Sequence, residues 1–245
     1  CVQLLTDLEE TEAAFSTQRQ NPRGTLSIDM PAGIGRYLVI PALPTFTARY
    51  PQIDLEIGLN DRPVDLIREG VDCVLRGGLA LDESLVARPL AMMDQITLAS
   101  PAYLERMGVP ETLEDLGRHQ MVEYVSSASG KRFGLEFELG AELRLVNLAK
   151  RVAVNSSDAY FAACEAGFGL IQAPHYHAMR QLAEGILVHV LSGIPVPKMA
   201  LTALYPPHRQ LSQRVRVFVD WLVELCAQPG TGLQRQACGN HPCGG

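Results

Sequence analysis

Two stretches of the chain each have the pattern of a strand, a tight turn and a helix, and this repeat constrains the fold more than any other feature. They cover residues 26–50 and 152–174. A strand that leads directly into a helix is the building unit of an α/β lobe, because the helix packs back onto the sheet. Two such units, far apart in the chain, predict two α/β lobes with a ligand cleft between them.

The first unit begins with a strand pattern, since residues 26–30 alternate apolar and polar side chains. The turn Pro31-Ala32-Gly33-Ile34-Gly35 then leads into the helix. Its glycines allow close approach of the backbone to a bound group, and a helix start presents unpaired N–H donors that favour an anion. We expect the N–H groups near Gly33 and Ile34 to bind a carboxylate. The alternative is a glycine-rich turn that serves packing alone.

The second unit ends its strand with Val152 and Val154, and polar residues follow at once. Asn155, Ser156 and Ser157 are residue types that cap helices, and we predict a helix over residues 159–166. Gly167 is typical of a helix C-terminus. The three polar side chains are expected either to donate hydrogen bonds to a ligand or only to cap the helix.

Length and composition exclude several classes of protein. With 245 residues and 47% hydrophobic content, the chain can bury the cores of two ordinary lobes. It contains no apolar run of eighteen residues and no basic-then-apolar leader, so neither a membrane span nor a signal peptide is predicted. A net charge of −6 argues against DNA binding by this chain itself.

The six cysteines do not form the pattern of a disulfide framework. Two of them lie in apolar strand and helix patterns, which indicates a reduced, cytoplasmic protein. In the tail, Cys238 and Cys243 lack a second ligand pair, and His175-Tyr176-His177, expected on one strand face, has no acidic or thiol neighbour at a metal-like spacing. We therefore predict no metal site and no cofactor.

The hydrophobic pattern also gives a domain organisation. Residues 1–20 are predicted to end a longer helix, 21–99 and 200–227 to form lobe I, 100–199 to form lobe II, and 228–245 to be a disordered tail. Within lobe I we predict strands over 53–59 and 72–75 around a helix over 64–69. Since strands and helices alternate, the sheet is expected to be parallel.

Five segments resemble, in the right order, the effector-binding domain of LysR-type transcriptional regulators. They are residues 31–41 (PAGIGRYLVIP), 46–51 (FTARYP), 64–78 (VDLIREGVDCVLRGG), 166–174 (AGFGLIQAP) and 215–222 (VRVFVDWL). The resemblance implies two Rossmann-like α/β lobes joined by two crossover strands, as in type II periplasmic binding proteins, with a small-molecule effector in the cleft. For that effector an organic acid is our guess from the cleft chemistry.

The resemblance also implies partners. Family members are homodimers or homotetramers that bind DNA through an N-terminal winged helix-turn-helix, which we expect to be absent from this chain. Effector contacts are expected from Arg76 and Gly77 at a strand end, from Ser100 at the crossover, and from Tyr124 and Pro174 as apolar walls. Arg76 has a second interpretation as a structural ion pair. Ser100 has one as a helix cap, and Tyr124 and Pro174 have one as plain core residues.

Two rival classes remain at this point. A solute-binding protein of a transport system has the same two-lobed fold, and Cys1 would then be a lipidated N-terminus. An enzyme needs an activated nucleophile or an acid–base pair in the cleft, and the sequence has no G-x-S-x-G elbow, P-loop or dinucleotide fingerprint. We therefore predict that the chain is not an enzyme.

Overall fold

The computed structural model describes residues 22–62, 64–78, 84–127, 129–207, 212–228 and 233–235. The strands are β1 (Gly24–Met30), β2 (Ile53–Leu59), β3 (Cys73–Gly77), β4 (Val86–Met93), β5 (Gln95–Ala99), β6 (Gln120–Val125), β7 (Arg132–Phe133), β8 (Leu135–Leu139), β9 (Glu142–Val146), β10 (Ala149–Val154), β11 (Ile171–Pro174), β12 (Val188–Val190), β13 (Met199–Tyr205) and β14 (Leu233–Arg235). The helices are α1 (Ala32–Ile34 and Ile40–Arg49, with the π-helical Gly35–Val39 between them), α2 (Leu66–Glu69), α3 (Pro101–Met107), α4 (Ser157–Glu165), α5 (His175–Ala183) and α6 (Gln213–Cys226), with a 3-10 turn at Asp115–Arg118.

Lobe I is built on a six-stranded sheet in the order β14-β4-β13-β3-β1-β2. The strands β2 and β3 both run parallel to β1, as the βα pattern predicts. The strands β13, β4 and β14 join antiparallel, so the expectation of a parallel sheet is wrong for this half. The physical reason is that β13 returns from lobe II and inserts between β3 and β4, running against both of them. The strand β4 therefore runs in the same direction as β1 although its pairings are antiparallel, and β14 adds antiparallel at its outer edge.

Helices α1 and α6 cover one face of this sheet around an aromatic cluster. The ring of Phe46 lies 5.4 Å from that of Phe218 and 5.3 Å from that of Trp221. The indole N–H of Trp221 donates to Thr45 Oγ1 at 3.0 Å, which satisfies the one polar atom of a buried ring. The helical spacing of residues 211, 215, 218, 222 and 225 predicts an apolar stripe on this helix. It is confirmed for Val215, Phe218, Leu222 and Leu225, which are all buried, and Leu211 lies outside the described residues.

Lobe II contains two small sheets and a hairpin. In one sheet β5 pairs antiparallel with β11 and β12, and in the other β6 pairs parallel with β10 and antiparallel with β7. A bridge between Met121 and Leu170 joins the two sheets, and β8 and β9 form the hairpin. Helices α3 and α4 pack on two buried clusters of this lobe.

The boundary between the lobes differs from the prediction. Residues 95–99 were expected in lobe I, but β5 pairs only with strands of lobe II, so the first crossover lies at Asp94. An alternating pattern identifies a strand without saying which sheet it joins. The second boundary was predicted between residues 199 and 200, and β13 begins at Met199. The two crossovers are bonded together, because Gln95 Nε2 donates to the carbonyl of Pro197 at 2.7 Å.

The chain ends require one correction. Disorder was predicted for residues 228–245, but 233–235 form β14 against β4. The amide of Gln234 donates to Asp94 Oδ2 at 3.2 Å, and Lys198 Nζ donates to Gln234 Oε1 at 2.6 Å, so β14 contacts both crossovers. Residues 1–20, predicted to end a helix, lie outside the described residues, as do 229–232 and 236–245.

Three of the cysteines, Cys73, Cys164 and Cys226, are buried free thiols. Burial raises the pKa of each of them to about 12, so these thiols stay protonated and unreactive at neutral pH. Among the helices of the described part of the chain, none is long and apolar enough to span a bilayer.

Candidate functional site

The turn at the start of α1 brings the two lobes into contact. Pro31 precedes the helix in an extended conformation and offers no side-chain cap. A Cβ atom on Gly33 would lie 2.8 Å from both Nδ1 and Cε1 of His177, and 3.5 Å from Ser157 Oγ. His177 and Ser157 belong to lobe II. Gly33 is therefore required for this close approach of one lobe to the other.

The start of α4 is capped as the sequence predicts. Ser156 is extended, with φ −130° and ψ 148°, and its hydroxyl accepts a hydrogen bond from the N–H of Ala159 at 3.3 Å. The helix begins at Ser157, two residues before the predicted start. Gly167, with φ +80°, follows its C-terminus and confirms the predicted stop.

A carboxylate from lobe I lies at this helix start. Asp61 follows β2, and its Oδ2 accepts a hydrogen bond from the backbone N–H of Ser157 at 2.9 Å. Ser157 Oγ lies 3.5 Å from the same oxygen. A negative charge at a helix N-terminus is favourable, because unpaired N–H groups and the helix dipole both attract it. Ser157, which was expected to donate to a ligand, thus donates to the Asp61 carboxylate of the same chain.

His177 lies beside this contact on α5. The prediction of a strand here is wrong, since a short His-Tyr-His alternation fits the first turn of a helix equally well. Its ring stacks on Phe161 at 3.9 Å and lies 4.6 Å from the ring of Tyr37 in lobe I. The side chain is 3% exposed, and Nε2 has no hydrogen-bond partner among the described residues; Asp158 Oδ1 is 3.9 Å away.

Burial lowers the pKa of His177 to about 4, against the opposing attraction of the Asp158 carboxylate. The imidazole is therefore neutral at neutral pH, and Nε2 is either a donor or an acceptor according to the tautomer. In the described part of the chain no three His, Cys, Asp or Glu side chains are grouped as a metal ion requires.

Two tyrosines lie close enough to the Asp61 carboxylate for its charge to affect their pKa values. Burial and, secondarily, the Asp61 charge raise the pKa of Tyr124 to about 12, and the same two causes raise the pKa of Tyr176. The Tyr124 ring meets that of Tyr160 edge-on at 5.4 Å. Pro174 ends β11 immediately before α5. Tyr124 and Pro174 thus lie in lobe II on the elements that face this contact, β6 and the start of α5.

Arg76 has a partner within lobe I. Its Nη2 lies 2.8 Å from Oδ1 of Asp29, which is 2% exposed, and 3.2 Å from the carbonyl of Arg62. Asn60 Nδ2 donates to the other oxygen of Asp29 at 2.6 Å. Asp29 and Asn60 line an open cavity of about 270 Å³ that lies within lobe I. The loop that carries Asp61 is therefore anchored on both sides of that residue.

The remaining predicted contacts are dispersed. Ser100 is buried against Gly167, at the C-terminal end of α4, and its Oγ has no partner among the described residues. Ile34 is buried in the core of lobe I, and Gly77 is exposed on β3. Asn155 is exposed, and its carbonyl accepts from Ser127 Oγ at 3.0 Å. The structure brings together Gly33 and Ser157, with Asn155 and Ser156 adjacent in the chain, and leaves Ser100 apart.

Sequence reasoning missed Asp61 and the role of His177. Asp61 carries a signal, because the polar pair Asn60-Asp61 follows the C-terminal end of a parallel strand, where α/β sheets bind ligands. Its partner is 96 residues away in the other lobe, a separation that no local pattern bridges. For His177, a longer window that includes the buried Gln181 has helical spacing.

Comparisons with known proteins agree with this two-lobed ligand-binding architecture. Residues 19–227 match the family model described as LysR substrate binding domain. An uncharacterized HTH-type transcriptional regulator of Escherichia coli (strain K12), YhjC, is 36% identical over 219 residues, which are 89% of this chain and 73% of that protein. An HTH-type transcriptional repressor of Pseudomonas aeruginosa (strain UCBPP-PA14) is 33% identical over 228 residues, 93% of this chain and 72% of that protein.

The regulatory domain of CrgA, a LysR-type transcriptional regulator from Neisseria meningitidis, has the same fold. It superimposes with a TM-score of 0.71 at 27% identity and covers 83% of this chain and 98% of that domain. The fold and the family match thus define a two-lobed α/β ligand-sensing domain of the type II periplasmic-binding-protein kind. The chain belongs to the LysR family and contains its effector-binding domain, and its regulator relatives exclude the transport alternative.

Proposed function

We propose that this domain binds a small organic acid between its lobes and that binding changes the angle between them. One observation carries the proposal: Gly33 of lobe I packs directly on Ser157 and His177 of lobe II, where donors and an unpartnered polar atom converge. A ligand seated here touches both lobes. It therefore has different contacts in the open and closed states, which is the condition for shifting their equilibrium.

The proposed site consists of Gly33 and the backbone N–H of Ile34 from lobe I, with Asn155, Ser156 and Ser157 from lobe II. Tyr124 and Pro174 form apolar walls on the lobe II side. Arg76, Gly77 and Ser100 stay predictions from the sequence. Arg76 forms an ion pair with Asp29 within lobe I. Ser100 lies at the C-terminal end of α4, away from Ser157.

The family supplies the context for this binding event. We infer that the domain works as a homodimer or homotetramer in the cytoplasm, that it catalyses no reaction, and that a helix-turn-helix of the kind named in its relatives carries DNA binding. A tenfold to hundredfold switch in DNA affinity requires about 1.4 to 2.8 kcal/mol of coupling between effector and DNA. A few hydrogen bonds that form in only one state are sufficient for that free energy.

The test is a thermal-unfolding screen of small organic acids, amines and sugars, followed by small-angle X-ray scattering with any compound that stabilises the protein. A true effector at one hundred times its Kd should add about 2.7 kcal/mol of stability and reduce the radius of gyration. Gly33→Val places a side chain between the lobes and should abolish both effects. Gly117→Val, where a Cβ meets nothing within 4 Å, is the matched control.

Two results would contradict the proposal. One is a screen in which no compound of any class stabilises the folded protein. The other is a compound that stabilises the Gly33→Val variant as strongly as the parent chain, since its site would then lie away from the contact between the lobes.

A further inference from the structure

The start of α4 already holds an anion. The helix has nine residues, Ser156 satisfies the N–H of Ala159, and the N–H of Ser157 points at Asp61 of the other lobe. The two donor atoms of Ser157 lie 2.9 and 3.5 Å from one carboxylate oxygen. A ligand carboxylate placed here would make the same bonds, so Asp61 and such a ligand compete for one position.

A second feature lies beside this position. His177 Nε2 is buried and has no partner among the described residues, and the same imidazole contacts Gly33 beside Ser157 Oγ. Buried polar atoms without partners are uncommon in folded proteins, and a bound group is one explanation for them; the position of this one beside the contact between the lobes favours that explanation. Because burial keeps the ring neutral, Nε2–H can donate to a carboxylate without placing a charge in the core.

The loop of Asp61 is built so that this side chain can leave while its neighbours stay. Asn60 is held by Asp29, and the carbonyl of Arg62 is held by Arg76, whereas the described contacts of the Asp61 carboxylate are those with Ser157. Its departure breaks the hydrogen bond from Ser157 to lobe I, whereas the exposed ion pair between Arg36 of lobe I and Asp158 of lobe II, at 4.0 Å, does not depend on Asp61. The exchange of one carboxylate for another is therefore also a change in what connects the lobes.

We propose that Asp61 is an internal occupant of an anion subsite at the N-terminus of α4, and that a small carboxylate effector binds by displacing it. The inference rests on the proposed function and extends it: it assigns the effector's anchoring group to Ser157 and His177, and it makes the ligand-free contact autoinhibitory. The expected consequence is that the chain binds simple carboxylates weakly until Asp61 is removed.

The experiment uses sodium acetate and sodium malonate as probes, titrated at constant ionic strength against sodium chloride. Binding is followed by calorimetry and by the amide NMR signal of Ser157. Asp61→Ala should bind at least tenfold more tightly than the parent chain. The matched control is Asp158→Ala, which removes a carboxylate from the same helix end without freeing the Ser157 N–H, and should give a smaller gain.

A second substitution isolates the donor. Ser157→Pro in the Asp61→Ala background removes the N–H at the first helical position, where proline is well tolerated, and Ser156 already has the extended backbone that proline requires of its neighbour. The gain should disappear. If Asp61→Ala does not fold, Asp61→Asn keeps the size of the side chain and should show a gain of the same sign.

The inference is overturned if folded Asp61→Ala gains no carboxylate affinity, if Asp158→Ala gains as much, or if Ser157→Pro leaves the gain intact. These results differ from failure of the proposed function. A domain that closes around amines or sugars, and ignores carboxylates in every variant, remains a ligand sensor without the displacement of Asp61.

Discussion

The two strand–turn–helix units have the same pattern in the sequence but different roles in the structure. The first, at Pro31–Gly35, has no side-chain cap. Its contribution is space, because the absence of a side chain at Gly33 lets His177 and Ser157 pack against the backbone. The second, at residues 155–158, has a side-chain cap in Ser156, which accepts from the N–H of Ala159, and contributes a donor, the N–H of Ser157. The two units fit together, because the space left by Gly33 in the first is occupied by Ser157 of the second and by His177.

This difference teaches that a glycine turn and a serine turn at equivalent places are complementary surfaces, not two copies of one binding motif. The glycine turn allows the backbones of the two lobes to approach closely. The serine turn provides hydrogen-bond donors and a helix cap. Substitutions that remove one contribution and leave the other should therefore have separable effects, and the next three experiments measure them from the largest to the smallest.

The imidazole held between the two units should make the contact sensitive to acid. The pKa of His177 is about 4 in the folded chain, below the value of about 6.5 expected when unfolded. As the pH falls from about 6.5 to about 4, only the unfolded state takes up the proton, so stability falls by up to about 3 kcal/mol and the loss levels off at lower pH. The difference between the free energies of unfolding in urea at pH 7 and at pH 4 measures this loss.

The control for that loss is His177→Phe, which keeps a ring against Phe161 and Tyr37 but cannot titrate. The acid-induced loss of stability should be smaller in this variant by about 3 kcal/mol, because every titratable group other than His177 is common to both chains. An equal acid loss in both chains would place the sensitivity elsewhere, for instance at the buried His119, whose pKa burial also lowers.

Gly33→Ala should cost about 2 kcal/mol of folding free energy, because its methyl group would lie 2.8 Å from the His177 ring. Alanine is the better helix former by about 1 kcal/mol, so a loss here isolates the clash between the lobes. Gly117→Ala, in open space, is the control and should be neutral or stabilising. Chemical unfolding measures the stability of both variants. If Gly33→Ala is as stable as Gly117→Ala, the lobes move apart to accommodate the methyl group without a cost in free energy.

Ser156→Ala should have the smallest effect, about 1 kcal/mol, the usual contribution of one helix cap. The reason is local: one N–H of α4, that of Ala159, loses its acceptor. Ser156→Asp restores an acceptor and should recover the stability. Thermal unfolding compares the three chains, and a loss above about 3 kcal/mol would mean that Ser156 supports more than its own helix.

What the sequence predicted well is what short-range chemistry decides. The strand of residues 26–30, the cap at Ser156 and the stop at Gly167 depend on neighbours within a few positions, and all three are confirmed. The apolar stripe of α6 follows from the helical period alone. The family resemblance, carried by five ordered segments, gave the two-lobed fold.

What the sequence could not show depends on partners distant in the chain. β5 has an ordinary strand pattern, and its membership of lobe II is decided by β11 and β12. Arg76 reads equally as a ligand contact and as an ion pair until Asp29, 47 residues away, is seen beside it. The bond from Ser157 to Asp61 crosses between the lobes, so it exists only once both have folded.

The joint between the lobes has a consequence for what such a domain can report. Its two crossovers are tied to each other by Gln95, and β14 is bonded to both through Gln234, so they form one ribbon and not two independent linkers. We expect such a joint to favour rotation of the lobes about one axis. On that expectation, different molecules bound between the lobes would differ in how far along this rotation they hold the domain, and the degree of closure would be the quantity that is transmitted.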